Sequence, residues 1–93
     1  MDNRAVMRRT KNRLAPGRQV RLEWREDRPV LVQPSGTVQL NESAAAILEL
    51  CDGTRTSDEV IAEFAARAAN NDLVTDVREF LDAARQRGWI IEI

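Results

Sequence analysis

Between residues 20 and 24, apolar and charged side chains alternate: Val20, Leu22 and Trp24, with Arg21 and Glu23 between them. A period of two puts one set on a buried face and the other in water, which predicts a half-buried strand. The polar run Arg25-Glu26-Asp27-Arg28-Pro29 breaks the pattern, and the β-branched Val30-Leu31-Val32 predicts a second strand. Pro34-Ser35-Gly36 carries tight-turn chemistry, proline presetting φ and glycine accepting positive φ. Thr37-Val38-Gln39-Leu40 alternates again, with Val38 and Leu40 on one face of a third strand. Three strands with short connections predict an antiparallel meander.

From residue 41 the apolar period becomes helical. Asn41 is a good N-cap, and Ala44, Ile47, Leu48 and Cys51 share one stripe, with Gly53 placed to stop the helix. Thr56-Ser57-Asp58-Glu59 has capping-box spacing, and the helix behind it offers Val60, Ile61, Phe64, Ala65 and Ala68 to the core. Asn70-Asn71-Asp72 ends it. A third helix over about 76–87 carries Val77, Phe80, Leu81 and Ala84 on its stripe, Thr75 as the expected cap and Gly88 as the stop. Trp89 to Ile93 is an apolar tail that must pack on the body, and Leu14-Ala15-Pro16-Gly17 reads as punctuation before the first strand. The expected fold class is α+β: a small winged-helix-like domain in which a three-stranded antiparallel meander precedes three helices. In a DNA-binding winged helix the wing follows the recognition helix, so the order here is reversed.

A chain of 93 residues has room for one domain, which buries roughly two thirds of its unfolded surface. Hydrophobic residues at 43% and charged residues at 31% suit a globular chain and not a disordered one. No run approaches the about 18–20 apolar residues of a membrane helix, and the basic N-terminus lacks the apolar stretch of a secretory signal, so a cytoplasmic location is expected. Charge is uneven. Residues 1–13 carry Arg4, Arg8, Arg9, Lys11 and Arg13 against Asp2, a local +4, while residues 14–93 carry −5. This divides the chain into a basic, flexible N-terminal arm over 1–13 and a globular domain over 14–93. The arm suits nucleic acid or an acidic protein surface, or is a plain solvated terminus.

One cysteine and no histidine exclude a disulfide framework and histidine-based catalysis, and leave little with which to hold zinc. Cys51, lacking a base and lying on an apolar stripe, reads as a small core hydrophobe. An enzyme is disfavoured: no metal cluster or phosphate-cradling glycine loop is present, and no catalytic residue, cofactor or metal is assigned. A DNA-binding regulator is the alternative, but the third helix balances Arg78, Arg85 and Arg87 against Asp76, Glu79 and Asp82, whereas a helix facing phosphates should be clearly basic. The third strand says more. If the meander runs in sequence order, this strand is an edge with no lysine or proline to blunt it, able to accept a foreign strand or to be covered by the domain's own tail.

The stretch Leu40-Asn41-Glu42-Ser43-Ala44-Ala45-Ala46-Ile47-Leu48-Glu49-Leu50-Cys51-Asp52-Gly53 resembles the signature of the PqqD family, the peptide chaperones of pyrroloquinoline quinone (PQQ) biosynthesis. The likeness extends over about residues 14–91, through Thr54-Arg55-Thr56, Asp76-Val77, Phe80-Leu81 and Gly88. Ser35 departs from it, an acidic residue being common there. The resemblance implies binding without catalysis: a recognition element that takes up the precursor peptide PqqA and presents it to the radical-SAM enzyme PqqE. It further implies a peptide lying along the third strand beside the third helix. Carried onto this chain, that groove is Thr37, Val38, Gln39 and Leu40 with Arg78, Leu81, Asp82 and Arg85. The strand backbone would hold the peptide, Leu81 would offer an apolar contact, and the two arginines would meet acidic side chains. The expected working form is a monomer, with dimerisation by edge pairing or by strand exchange at the Pro16-Gly17 hinge as the open alternative.

Overall fold

Both periodicities are realised, and a second small sheet is added to them. The computed structural model describes residues 12–93. In chain order the elements are β1 (Arg13–Pro16), β2 (Arg21–Arg25), β3 (Arg28–Gln33), β4 (Gly36–Gln39), α1 (Glu42–Leu50), β5 (Arg55–Thr56), α2 (Ser57–Ala68), a 3-10 turn (Asn71–Leu73), α3 (Val74–Gln86) and β6 (Ile90–Glu92). The domain is α+β, as expected. The basic segment lies outside the described residues except for Asn12 and Arg13, and Arg13 already belongs to β1.

Strands β2, β3 and β4 form the antiparallel meander, in sequence order. Arg25 pairs with Arg28 across a two-residue turn in which Glu26 and Asp27 both take positive φ, 54° and 70°. Two left-handed residues in succession make a turn whose twist matches that of the flanking strands. The polar run therefore ends one strand and starts the next, and β3 extends through Pro29. Gln33 pairs with Gly36 across Pro34-Ser35.

The helix signals behave as their chemistry dictates. The Asn41 Oδ1 accepts from the Ala44 N–H at 2.7 Å, and Thr56 and Glu59 close a reciprocal capping box at 3.3 and 2.9 Å. Helix α1 is buried on more than one side, hiding Ala45 and Leu50 as well as Ile47 and Leu48. Three expectations fail. Trp24, expected on the buried face of the first strand with Leu22, is 49% exposed and its indole N–H donates to the Glu49 carboxylate at 3.0 Å, while Glu23 is half-buried. Ala68 is exposed at the end of α2, and Thr75 does not cap α3, because the 3-10 turn runs straight into that helix and leaves Leu73 at the cap position with no side-chain bond.

The termini make the second sheet, ordered β5-β1-β6. Residues 14–17 are thus largely strand: Leu14 pairs with Arg55 on one side and Glu92 on the other, and Leu14 is fully buried. The apolar tail becomes β6, held by Arg13 N–H to Ile93 C=O at 3.1 Å and Ile93 N–H to Arg13 C=O at 2.8 Å. Gly17 donates to the Trp89 carbonyl at 2.8 Å and lies so close to Gly88 that no side chain fits between them. The core runs between the two sheets and the helices, with Leu14, Leu31, Cys51, Val60, Leu81 and Ile90 among its most hidden members.

Candidate functional site: the β4 edge and the α3 face beside it

Strand β4 has one partner, β3, and among the described residues nothing pairs with its other side. The tail that might have covered this border is spent on β1. The register shows which backbone groups face outward. The Leu40 N–H donates to the Pro29 carbonyl at 3.0 Å, so Leu40 and Pro29 form a hydrogen-bonded position of the ladder. Such positions alternate in an antiparallel pair, which makes Val38 opposite Leu31 the next one and Gly36 opposite Gln33 the one after. The N–H and C=O groups of Thr37 and Gln39 therefore point away from β3, into the space an added strand would occupy. Both side chains are exposed, while those of Val38 and Leu40 turn the other way onto the core beside Phe80 and Trp89.

Two depressions line this inner side. One, of about 300 Å³, lies beyond Leu40 between the starts of α1 and α3 and the end of α2, with Asn41, Ile47, Phe64, Asp76 and Phe80 in its wall. The other, of about 450 Å³, lies toward the β3–β4 turn and is lined by Gln33, Val38, Arg87 and Trp89. The guanidinium of Arg87 stands over the Trp89 ring, 5.5 Å from its centroid.

The helical residues expected in this groove are placed elsewhere. Leu81 is only 1% exposed and packs in the core, so it has no surface to offer a ligand. Arg78 faces Asp58 of α2 at 3.8 Å, and Arg85 bonds Asp82 and reaches Glu92 of β6 at 3.6 Å. The reason is helical geometry. At 3.6 residues per turn, Arg78, Asp82 and Arg85 share a face roughly 160° away from the one carrying Phe80 and Arg87. The structure brings Thr37, Val38, Gln39 and Leu40 together as one edge, and Phe80, Arg87 and Trp89 line the depressions on its inner side. Phe80 already belongs to the stripe with Val77 and Ala84, and Arg87 lies one helical turn beyond Ala84 along it.

The other charged groups serve the scaffold. Arg55 bonds Glu63 at 2.8 Å and the Leu50 carbonyl at 3.1 Å, tying β5 to α2 and to the end of α1. Its guanidinium, then that of Arg67, holds the Glu63 carboxyl below its ordinary range. Asp52 is held low chiefly by its bonds from Thr54. Cys51 is fully buried, and burial, followed by the neighbouring Asp52 charge, pushes its thiol up to about 11. A thiol in that state is a weak nucleophile. Among the described residues no group of three or more histidine, cysteine or acidic side chains is placed to hold a metal ion, and no helix is long and apolar enough to cross a membrane.

Comparison with known proteins accords with this architecture. The family described as Coenzyme PQQ synthesis protein D (PqqD) matches residues 29–90, from β3 to the start of β6. A PqqA binding protein of Methylococcus capsulatus is 41% identical over 76 residues, covering 80% of this chain and 82% of that protein. The PqqA binding protein of Azotobacter vinelandii is 42% identical over 73 residues, covering 75% and 79%. PqqA binding protein 2 of Pseudomonas putida is 44% identical over 80 residues, covering 83% and 89%. No solved structure matches. With a family match across two thirds of the chain and relatives above 40% identity over most of their own length, this chain belongs to the PqqD family of coenzyme PQQ synthesis proteins.

Proposed function

We propose that this protein is a peptide chaperone that binds the precursor peptide PqqA by strand addition to β4 and presents it to PqqE in PQQ biosynthesis. The observation that carries the reading is the outer border of β4, where Thr37 and Gln39 present main-chain donors and acceptors with no partner strand among the described residues, while the tail is engaged with β1. An extended peptide zipped onto this border gains main-chain hydrogen bonds, and its alternate side chains reach the depressions beside Phe80 and Trp89. The relatives' naming as PqqA binding proteins supports the choice of peptide. The reading involves no chemistry on the peptide, and in it the protein works as a cytoplasmic monomer. Arg78, Leu81, Asp82 and Arg85 have no part in the contact, and Thr37, Val38, Gln39 and Leu40 keep theirs.

Titration of isotopically labelled protein with PqqA tests the site. Amides of residues 37–40 and of α3 around Phe80 and Arg87 are expected to shift, and PqqE is expected to bind the resulting complex. The decisive variant is Gln39→Pro. Proline at an outward-facing edge position spares the ladder to β3 but removes a donor and puts a ring where the peptide backbone must come. Binding should fall at least about tenfold, the equivalent of one to two main-chain hydrogen bonds. A folded Gln39→Pro protein that binds PqqA as the wild type does would refute strand addition at β4.

A further inference from the structure

The two ends of the β4 edge differ in charge. At the α1 end, the depressions are lined by Asp27 and Glu42 beside Arg28, and by Asp76. At the turn end, the depression holding Arg87 and Trp89 adjoins one of about 400 Å³ to which Arg18 and Arg87 both contribute, and no carboxylate lines either. Among the described residues neither arginine makes an ion pair, which is true also of Arg13 and Arg28, whereas Arg21, Arg25, Arg55, Arg67, Arg78 and Arg85 all do. Two guanidinium groups without an ion-pair partner among the described residues line one concavity of a domain whose residues 14–93 carry a net −5. Both guanidiniums remain charged at any physiological pH, and their planar donor forks suit a carboxylate. Trp89 holds that of Arg87 by a cation–π contact, so part of the ordering has been done before any ligand arrives.

We infer that Arg18 and Arg87 form a carboxylate subsite at the turn end of the peptide groove, which takes an acidic side chain of the added strand and thereby sets its direction and register. The inference rests on the strand-addition reading and deepens it. Main-chain bonding to Thr37 and Gln39 is nearly indifferent to sequence and to a slip of two residues. A charged clasp at one end is not. A peptide shifted by two residues draws its carboxylate about 7 Å away from the arginines, and a reversed one brings it to the acidic end beside Asp76 and Glu42; either leaves the arginines unmatched.

The test compares the wild type with Arg18→Gln and Arg87→Gln, using PqqA and PqqA variants in which each acidic residue is changed in turn to its amide. Kd at low salt and the indole N–H resonance of Trp89 are the readouts. Each arginine variant should weaken binding roughly twofold to fivefold, as pairs made by exposed guanidiniums do. One amide substitution in the peptide should cause the same loss in the wild type and no further loss in Arg87→Gln. Equal binding by all three proteins, or losses that simply add at every peptide position, would overturn the subsite. If the wild type does not bind PqqA, the reading of its function fails, and two synthetic Val-Thr strands, tipped with glutamate or with lysine, decide the subsite. A Trp89 shift with the glutamate strand alone, abolished in Arg87→Gln, upholds it. Absence of that shift rejects it.

Discussion

Gly17→Ala is the substitution whose consequence the coordinates define most sharply. A methyl group at residue 17 falls 2.0 Å from the Gly88 carbonyl oxygen and 3.1 Å from its carbon. Both atoms are backbone, so no side chain can swing aside. The segments must part by about 1 Å or more before the contact becomes an ordinary one. That movement breaks the 2.8 Å bond from the Gly17 N–H to the Trp89 carbonyl. Losing the bond costs about 0.5–1.5 kcal/mol, and the residual overpacking about 1–3 kcal/mol. Alanine's stiffer unfolded chain returns about 0.4–1 kcal/mol, leaving a net destabilisation centred on about 2 kcal/mol. For a domain of this size, that lowers the thermal midpoint by roughly 8–16 °C. Thermal unfolding measures the midpoint, and hydrogen exchange at Ile93, whose amide bonds Arg13, reports whether β6 has loosened from β1. A fall of under about 2 °C with unchanged Ile93 protection would show that the β1–β6 junction is not packed as described.

The remaining predictions concern the core and the edge. Val38→Pro removes a donor that bonds β3, so it should destabilise the meander by at least about 1 kcal/mol in urea unfolding, while Gln39→Pro stays near the wild type; the reverse order would refute the register. Leu81→Ala should lose about 2–5 kcal/mol in the same assay yet leave the peptide affinity of the folded fraction unchanged, because its side chain is core. Cys51 gives a pH signature. Its folded value of about 11 lies above the ordinary 9.0, so its contribution to stability is complete below pH 9 and is lost as the pH rises toward 11. The chain has no tyrosine or histidine and one lysine, so few other side chains titrate there. Denaturation midpoints of the wild type should fall between pH 9 and 11 more steeply than those of Cys51→Ala, and parallel profiles would contradict the burial argument.

Much of this architecture is written in local chemistry. The alternation at 37–40, the Asn41 cap and the Thr56–Glu59 box each involve residues within four positions of one another, and each appears in the structure as its side chains require, whereas the alternation at 20–24 gives the strand but not the burial of Trp24. Glu26-Asp27 was harder to recognise, because acidic side chains adopt consecutive left-handed conformations less readily than the Asn-Gly pairs that advertise such turns. The second sheet had no local signal. Its strands are two to four residues long, and Leu14 finds Glu92 across almost the whole chain, so the pairing depends on shape and burial that no short window contains. The packing of the α3 side chains was illegible for a related reason. Helical period shows which residues share a face, but only packing tells which of two polar faces meets α2 and β6 and which looks along β4.

Residue order alone therefore settles the meander, the three helices, the absence of histidine chemistry and the family, because these rest on periodicity, capping and composition. The availability of the β4 border does not follow from any of them. It is decided by where the tail goes, and the tail goes to β1 because Leu14 and Ile90 are both hidden in the core there while Gly17 lets the backbones of residues 17 and 88 close up. The meeting of Arg18 and Arg87 is likewise a tertiary fact, produced by folding two segments some seventy residues apart onto one depression beside the lead into β2 and the β3–β4 turn.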